Sequence, residues 1–308
     1  MQHSYSLDNL ALQNAWLTIG VFDGVHRGHQ RLLRKLVNEA HAAHFPAVVM
    51  TFHPHPALVL GGRTDFKSLT LPDERADLLG ELGVDLVITQ TFDRDFANQT
   101  AEEFMHLLTQ TLDLRCLLVG YDFALGRNRA GTVPRLKELG REFGYKVEVV
   151  EPLKEGEEVV SSTMIRSQVA AGAVGEAAAL LGRWYALSGP VAHGDGRGHR
   201  INLPTANISL SAQKLIPANG IYATWAWVGG ERYLAATNIG INPTFTPDKQ
   251  TRSVEAYLLD FDRDIYGQEV KLEFVARLRD EMKFASVEGL LAQIHEDIMK
   301  TRKILSGG

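Results

Sequence analysis

Residues 17–29 of the chain read LTIGVFDGVHRGH, and this stretch decides the class of fold. The run at 17–21 predicts a buried strand, because its residues are almost continuously apolar rather than alternating with polar ones. Residues 30–44 then place Leu32, Leu33, Leu36, Val37 and Ala40 on one helical stripe. A strand that leads through a glycine-containing turn into a helix is typical of a parallel sheet covered by helices.

The same alternation recurs along the first half of the chain. Thr100 and Glu103 form a capping box that opens a helix, and Pro72 and Pro134 suit the first turns of two more. Further buried strands are predicted at residues 47–52, 86–89, 116–119 and 147–150. Strand–helix units of about 30 residues predict an α/β domain with a Rossmann-like parallel sheet.

The pattern changes beyond residue 160. Residues 161–182 are rich in alanine and helix-like, and after them the apolar runs predict antiparallel strands. The strongest hairpin signal is Gly229-Gly230, which separates two apolar runs. The predicted strands are 222–228, 233–239, 254–261 and 269–278. Ser286 suits the cap of a final amphipathic helix over residues 287–305.

These patterns predict two domains. Residues 1–183 form the α/β domain, and residues 184–308 form a small antiparallel β-barrel that carries the terminal helix. Domains of this size are large enough to bury cores of their own.

The composition is that of an ordinary globular protein, with 308 residues, 45% of them hydrophobic, and a net charge of −5. This balance excludes wholesale disorder and argues against a general nucleic-acid binder. No apolar run approaches the roughly 20 residues of a membrane helix, and the N-terminus has no apolar signal-peptide core. The single cysteine, Cys116, cannot form an internal disulfide, which favours a reducing compartment. We therefore expect a cytoplasmic enzyme that binds neither nucleic acid nor membrane, with its oligomeric state open between a monomer and a weak oligomer.

The turn at residues 20–29 is the first candidate site. Ligands of open α/β sheets bind beyond the carboxyl ends of strands, where a helix N-terminus offers unpaired N–H groups to phosphate. Gly24 and Gly28 let the backbone approach a ligand closely. His26 and His29 lie one helical turn apart, so both imidazoles can donate to the oxygens of one phosphate as charge develops there.

Three other segments are expected in the same pocket. Residues 51–56 and 120–132 follow two of the predicted strands, and residues 161–166 place hydroxyls and Arg166 at a helix start, which suits phosphate. A competing interpretation is a metal site that joins His53 and His55 to the two histidines of the first turn. No carboxylate or cysteine at suitable spacing completes a familiar metal site there.

The second candidate site is a glycine-rich loop at residues 189–207. Glycines such as Gly194 and Gly198 allow backbone N–H groups to wrap phosphates. Thr205 and Asn207 offer neutral oxygen ligands to a Mg²⁺ ion that carries ATP phosphates. The loop is not a Walker loop, because no Gly-Lys-Ser/Thr follows it.

In this order, the motifs resemble the bifunctional bacterial riboflavin kinase/FAD synthetase (FMN adenylyltransferase) family over roughly residues 10–305. The motifs are GVFDGVHRGH at 20–29, SSTMIR at 161–166, LPTAN at 203–207, NIGINPTF at 238–245, VEAYLLDF at 254–261 and LRDEMKF at 278–284. The resemblance implies a nucleotidyltransferase-like N-terminal domain that joins FMN to the AMP of ATP and releases pyrophosphate. It also implies a six-stranded barrel that phosphorylates riboflavin to FMN with Mg²⁺ and ATP, and delivery of the flavin to apo-flavoproteins.

The resemblance carries roles to individual residues. Glu255 looks like the general base of the kinase, and Thr205 and Asn207 look like its Mg²⁺–ATP ligands. His26 and His29 look like the adenylyl-transfer histidines, with Arg166 as a further catalytic group. Substrate or ATP contacts are expected at Gly20, Phe22, Asp23, Gly24, Gly28, His55, Asp122, Phe123, Ser162, Thr163, Gly194, Gly198, Thr205, Asn207 and Arg279.

The sequence departs from the family pattern at three places. Asn202 and Leu203 stand where the family has Gly-Phe, Tyr257 where it often has His, and Leu125 where it has an aromatic residue. One alternative is therefore a single-activity adenylyltransferase whose kinase domain has decayed at residues 202–203. A second alternative is a flavin-binding regulator that uses both folds without turnover.

Overall fold

The computed structural model describes residues 1–8, 10, 12–61, 65–156, 158–193, 204–242 and 251–307. Contacts between Cα atoms divide the chain into two units, Met1–Ser162 and Thr163–Gly308. The strands of the first unit are β1 (Gln2–Ser4), β2 (Trp16–Ile19), β3 (Ala47–His53), β4 (Leu86–Thr91), β5 (Cys116–Gly120), β6 (Ala124–Leu125), β7 (Gly131–Thr132), β8 (Lys146–Val150), β9 (Lys154–Glu155) and β10 (Glu158–Val159). Its helices are α1 (Arg27–Ala42), α2 (Pro56–Leu60), α3 (Pro72–Glu81), α4 (Arg94–Ala97), α5 (Ala101–Leu112) and α6 (Val133–Phe143).

Six strands of the first unit form a parallel sheet in the order β1-β4-β3-β2-β5-β8. The chain builds outward from β2, first through β3 and β4 and then, on the other side, through β5 and β8. In open α/β sheets such a reversal leaves a crevice at the carboxyl ends of the two strands between which the order reverses, here β2 and β5. The loops that follow these two strands are therefore where a ligand site is expected.

The continuous apolar runs are explained by burial on both faces of this sheet. Leu17 and Ile19 of β2 pack in one cluster with Leu108 of α5. Val49 of β3 packs in the opposite cluster with Leu33 of α1. The five strands predicted from these runs are confirmed, whereas β1 was not predicted, because three partly exposed residues at a sheet edge carry no apolar signal.

The second unit is a closed antiparallel barrel. Its strands are β11 (Tyr185–Ala192), β12 (Ala206–Ile208), β13 (Gly220–Val228), β14 (Glu231–Asn242), β15 (Thr251–Leu258) and β16 (Glu269–Arg279), in the order β11-β12-β15-β14-β13-β16. The predicted hairpin is confirmed, since β13 and β14 pair through Gly229 and Gly230, whose φ angles of 58° and 87° suit glycine. The terminal helix α9 (Val287–Ser306) is confirmed as well and packs on β13, β14 and β16.

Two helices precede the barrel, α7 (Ser162–Ala171) and α8 (Val174–Leu181). Because α8 contacts β11 and β16, the division into units falls at the start of α7. The boundary after residue 183 stays a prediction. Among the residues that the structure describes, no helix is both long and apolar enough to cross a membrane.

Candidate active sites

The loop between β2 and α1 has an unusual backbone. Phe22 and Val25 have φ angles of 51° and 41°, and Gly24 has a φ of 79°. Left-handed φ values are rare for residues with side chains, above all for a β-branched valine. Each such residue costs about 1–3 kcal/mol and persists only where neighbouring contacts hold it, which is typical of functional sites.

The buried carboxylate of Asp23 holds this loop. It accepts hydrogen bonds from the backbone N–H groups of Leu69 and Thr70, at 3.2 and 3.0 Å, and from the Thr70 hydroxyl at 3.3 Å. The Thr70 hydroxyl oxygen accepts from the backbone N–H of Gly24 at 3.0 Å, and the Ser162 hydroxyl donates to the Asp23 carbonyl at 2.8 Å. Asp23 and Ser162 thus stabilise the loop itself, and their contacts with ATP stay predictions.

Arg75 on α3 contacts Thr51 and Thr70 beside this loop, and it was not predicted from the sequence as part of the site. Its guanidinium, in a residue only 2% exposed, donates to the Thr51 hydroxyl at 2.8 Å and to the Thr70 carbonyl at 3.1 Å. Burial lowers the pKa of Arg75, and the nearby carboxylates of Asp23 and Glu74 oppose that shift. A signal was present in the sequence, because Arg75 is a charged residue on the otherwise apolar buried stripe of α3.

His26 and His29 form a stacked pair at the start of α1. Their ring centroids lie 3.6 Å apart, and the Nδ1 atom of His26 accepts from the backbone N–H of His29 at 3.3 Å. A Cβ atom on Gly28 would lie 3.1 Å from the His26 ring, so a larger residue here would shift that ring by a few tenths of an ångström. The Phe22 ring contacts His29 edge-on at 5.1 Å. Phe22 and Gly28 therefore position the histidines.

The environment of the pair keeps His29 neutral. Burial, the adjacent His26 ring and the Arg75 guanidinium together hold the pKa of His29 well below its usual value of 6.5. Its Nδ1 atom is buried and has no hydrogen-bond partner within the described part of the chain. Because an unpaired buried polar atom costs about 1–3 kcal/mol, a ligand atom that pairs with it gains binding energy. A phosphate oxygen is such a ligand atom, since a neutral imidazole N–H can donate to it.

A cavity of about 800 Å³ opens beside this loop. It extends from Gly20 at the end of β2 to Asp122 and Phe123 beyond the end of β5. The aromatic rings of Phe52, Phe92, Phe96, Phe104 and Phe123 line it. Leu125, which stands where the family has an aromatic residue, lines it as well. The structure thus brings Gly20, Asp122 and Phe123 together in a mainly apolar cavity that suits a flat aromatic ligand.

The remaining residues predicted for the N-terminal site are engaged locally. His55 caps α2, because its Nδ1 atom accepts from the Ala57 N–H at 3.0 Å. Arg166 donates to the Thr163 hydroxyl at 3.1 Å, one turn earlier on α7. The roles of these residues toward phosphate or nucleotide stay predictions. As for the competing metal site, no group of three or more His, Cys, Asp or Glu side chains that could hold a metal ion occurs among the described residues.

In the barrel, a polar row crosses three neighbouring strands. Glu255 of β15 pairs in register with Asn207 of β12 on one side and with Asn238 of β14 on the other. Residues that pair in register point to the same face of the sheet. The flanking Val254 and Ala256 are buried in the barrel, so the row faces outward. The structure therefore brings Asn207 and Glu255 together, and it adds Asn238, whose partners a single sequence does not reveal. Thr205 immediately precedes β12, and its place beside Glu255 stays a prediction.

A second cavity of about 350 Å³ has Thr205 in its lining. Val191, Leu258, Phe261, Ile265 and Tyr266 contribute its apolar and aromatic lining. The His193 ring stacks on Tyr266 at 4.0 Å. Gly194 and Gly198, like Asn202 and Leu203, lie outside the described residues.

Arg279 connects the last barrel strand to the terminal helix. Its Nε atom lies 3.0 Å from both carboxylate oxygens of Asp297, and its Nη2 atom donates to one of them at 2.7 Å. The Asp297 carboxylate is nearly fully buried on α9. Arg279 is thus a structural link, and its contact with substrate stays a prediction.

Comparisons with known proteins agree with both halves of this architecture. Residues 8–164 match the family model of FAD synthetase, and residues 181–305 match that of riboflavin kinase. Together these two matches cover most of the chain.

Similar proteins share nearly the full length. A bifunctional riboflavin kinase/FMN adenylyltransferase of Listeria monocytogenes is 35% identical over 303 residues, which cover 98% of this chain and 96% of that protein. The protein of the same description from Escherichia coli K12 is 37% identical over 97% of this chain and 95% of that protein. A crystal structure from Streptococcus pneumoniae, described as a macrolide-efflux protein, superimposes with a TM-score of 0.89 at 32% identity, over 97% of this chain and 98% of that chain. The chain belongs to the family of bifunctional riboflavin kinase/FMN adenylyltransferases.

Proposed function

We propose that the barrel phosphorylates riboflavin to FMN with ATP and that the N-terminal unit then joins FMN to the AMP of a second ATP, giving FAD and pyrophosphate. The observation that carries this division is that the two polar sets lie in separate units. His26 and His29 belong to Met1–Ser162, whereas Thr205, Asn207 and Glu255 belong to Thr163–Gly308. Each unit therefore has a polar set of its own, although Thr163 and Arg166, which were predicted for adenylyl transfer, belong to the second unit.

For adenylyl transfer, the cavity of the first unit holds the flavin ring among its phenylalanine side chains. A phosphate oxygen of FMN attacks the α-phosphorus of ATP, and the bond from the α-phosphorus to the bridging oxygen breaks, so that pyrophosphate leaves. Negative charge increases on the phosphate oxygens during this step. Neutral His29, with its unpaired buried Nδ1 atom, donates a hydrogen bond to that charge, and His26 beside it assists.

For the kinase step, Glu255 accepts the proton of the riboflavin 5′-hydroxyl as that oxygen attacks the γ-phosphorus and ADP leaves. The second cavity, which has Thr205 in its lining, holds the adenosine part of ATP and directs its phosphates toward the polar row. Thr205 and Asn207 fit Mg²⁺, because hydroxyl, amide and phosphate oxygens are ligands that this ion accepts. When bound with ATP, the ion neutralises phosphate charge.

The test is a chromatographic product assay on the full chain with ATP and Mg²⁺, with riboflavin in one tube and FMN in the other. We expect FMN and then FAD from riboflavin, and FAD from FMN. FAD from FMN alone would support the single-activity alternative, and bound flavin without product would support the regulator.

Two variants assign the steps. His29→Ala should abolish FAD formation and leave FMN formation intact, whereas Glu255→Ala should abolish FMN formation and leave FAD formation from supplied FMN intact. Loss of both activities in either variant, with the fold retained by circular dichroism, would contradict the division between the two units.

A further inference from the structure

The cavity of the first unit has a basic rim that the proposed chemistry leaves without a role. Arg94, Arg127 and Arg129 line the cavity, and among the described residues Asp122 is the one acidic residue that lines it. Three cations against one carboxylate give this rim a net positive charge. An apolar cavity with a cationic rim suits a ligand that combines a flat aromatic ring with an anionic group.

The backbone that carries two of these arginines is strained. Asn128 and Arg129 both have φ angles of 56° in the short 3₁₀ helix Arg127–Arg129. The turn is held in place, because the backbone N–H of Arg127 donates to the Gln99 carbonyl at 2.8 Å and that of Arg129 to the Gly126 carbonyl at 3.0 Å. Two successive left-handed residues other than glycine cost about 1–3 kcal/mol each. Backbone strain of this size is typical of functional loops. It is an observation independent of the charge of the rim.

The position of the rim relates it to the transfer site. A guanidinium nitrogen of Arg129 donates to the Asp122 carbonyl at 3.1 Å, and Asp122 follows the end of β5 by two residues. β5 pairs with β2, and Gly20 directly follows the end of β2. This guanidinium therefore lies at the carboxyl ends of these two strands, where the loop to the stacked histidines begins. Within the described ranges, the guanidinium of Arg94 forms no hydrogen bond or ion pair, whereas the carboxylate of Glu103 interacts electrostatically with Arg127. Both arginine side chains are exposed, so a ligand can reach them.

We propose that Arg127 and Arg129 bind the phosphate group of FMN and so make the N-terminal site select FMN over riboflavin. This inference rests on the proposed adenylyl transfer. The phenylalanine rings contact the ring system that both flavins share, and only FMN carries a phosphate. Guanidinium–phosphate hydrogen bonds are charge-assisted and can be bidentate. Riboflavin, which has no phosphate to accept AMP, therefore competes weakly for this site.

The test measures FAD formation from FMN by the full chain carrying Arg127→Gln, Arg129→Gln or both. Lumiflavin, which has the ring but neither ribityl chain nor phosphate, serves as a competitive inhibitor that neither transfer reaction consumes. We expect each single variant to raise the KM for FMN about tenfold with kcat unchanged, because a contact kept through the transition state affects binding only. The Ki of lumiflavin and the KM for ATP should stay within about twofold. Arg141→Gln, which removes an exposed charge from α6, is the matched control.

Three results would overturn the inference. An unchanged KM for FMN would show that the arginines do not hold its phosphate. A rise in the KM for ATP alone would assign them to the nucleotide phosphates. A parallel rise in the Ki of lumiflavin would show that they only shape the ring pocket. Failure of the proposed adenylyl transfer is distinct, because the unsubstituted chain would then make no FAD, and quenching of flavin fluorescence would still compare FMN with lumiflavin in the same variants.

Discussion

Replacing Asp23 by Asn should destabilise the N-terminal unit, although the sequence assigned Asp23 to ATP. The substitution keeps the size of the side chain and replaces one carboxylate oxygen by an NH₂ group. If the remaining oxygen keeps the two bonds from Thr70, at 3.0 and 3.3 Å, the NH₂ group faces the N–H of Leu69, which lies 3.2 Å from the second oxygen in the native chain. Two donors then face each other in a buried place.

The magnitude follows from these contacts. A buried N–H without an acceptor costs about 1–3 kcal/mol, and the two remaining hydrogen bonds each lose about 1 kcal/mol because their acceptor is no longer charged. The buried guanidinium of Arg75 also loses a nearby negative charge. We expect a loss of about 3–5 kcal/mol. For a unit of this size, that corresponds to a decrease of about 10 °C in its Tm.

The assay is calorimetric unfolding of the full chain, with the KM for ATP measured in parallel. Asp77→Asn is the matched control, because Asp77 is exposed on α3 and its substitution should change stability by less than about 0.5 kcal/mol. A Tm within about 2 °C of the native value, together with a raised KM for ATP, would refute the structural role of Asp23 and assign it to ATP binding.

Three further predictions concern other parts of the molecule. The pKa of His29 lies well below 6.5 in the folded chain, so only the unfolded chain gains a proton there as the pH falls below 6.5. The free energy of unfolding should therefore decrease by up to about 1.4 kcal/mol per pH unit. Urea unfolding at several pH values should show a weaker dependence of this free energy on pH for His29→Gln. Asp297→Asn should lower the free energy of unfolding, measured in urea, by about 3 kcal/mol, because it leaves the Arg279 guanidinium without its carboxylate. The control Glu296→Gln breaks the exposed pair with Lys300 and should lower it by less than about 0.5 kcal/mol. Gly28→Ala should lower kcat for FAD formation about tenfold with little change in Tm, because the new Cβ atom, 3.1 Å from the His26 ring, displaces that imidazole; an unchanged kcat would contradict the need for glycine at this position.

Local sequence patterns were sufficient for most of the secondary structure. The apolar run at residues 17–21 and the stripe of α1 predicted a strand and a helix, and both formed, because the periodicity of apolar residues is set by residues close along the chain. The glycine pair 229–230 predicted its hairpin for the same reason. The short edge strand β1 escaped prediction, since its stability comes from pairing with β4 and not from its own residues.

The candidate sites divide in a similar way. His26 and His29 could be predicted as a pair, because their spacing on a helix start is fixed by the chain itself. Arg75 could not be assigned to their surroundings, since its contacts with Thr51 and Thr70 join segments that are distant in the sequence. The contact of Asp23 with ATP was carried over from the family resemblance, and in the structure its carboxylate accepts hydrogen bonds from Leu69 and Thr70.

The class of each domain, the strand–turn–helix with its two histidines and the motifs shared with the family can all be predicted from the order of the residues. Which distant residues meet depends on the packing of the folded chain. This packing placed Asn207 and Asn238 beside Glu255, arranged five phenylalanine rings around one cavity, and set Arg127 and Arg129 on its rim. The physical reason is that apolar periodicity and capping act between residues close along the chain, whereas strand order, burial and charge environment arise only when distant segments pack together.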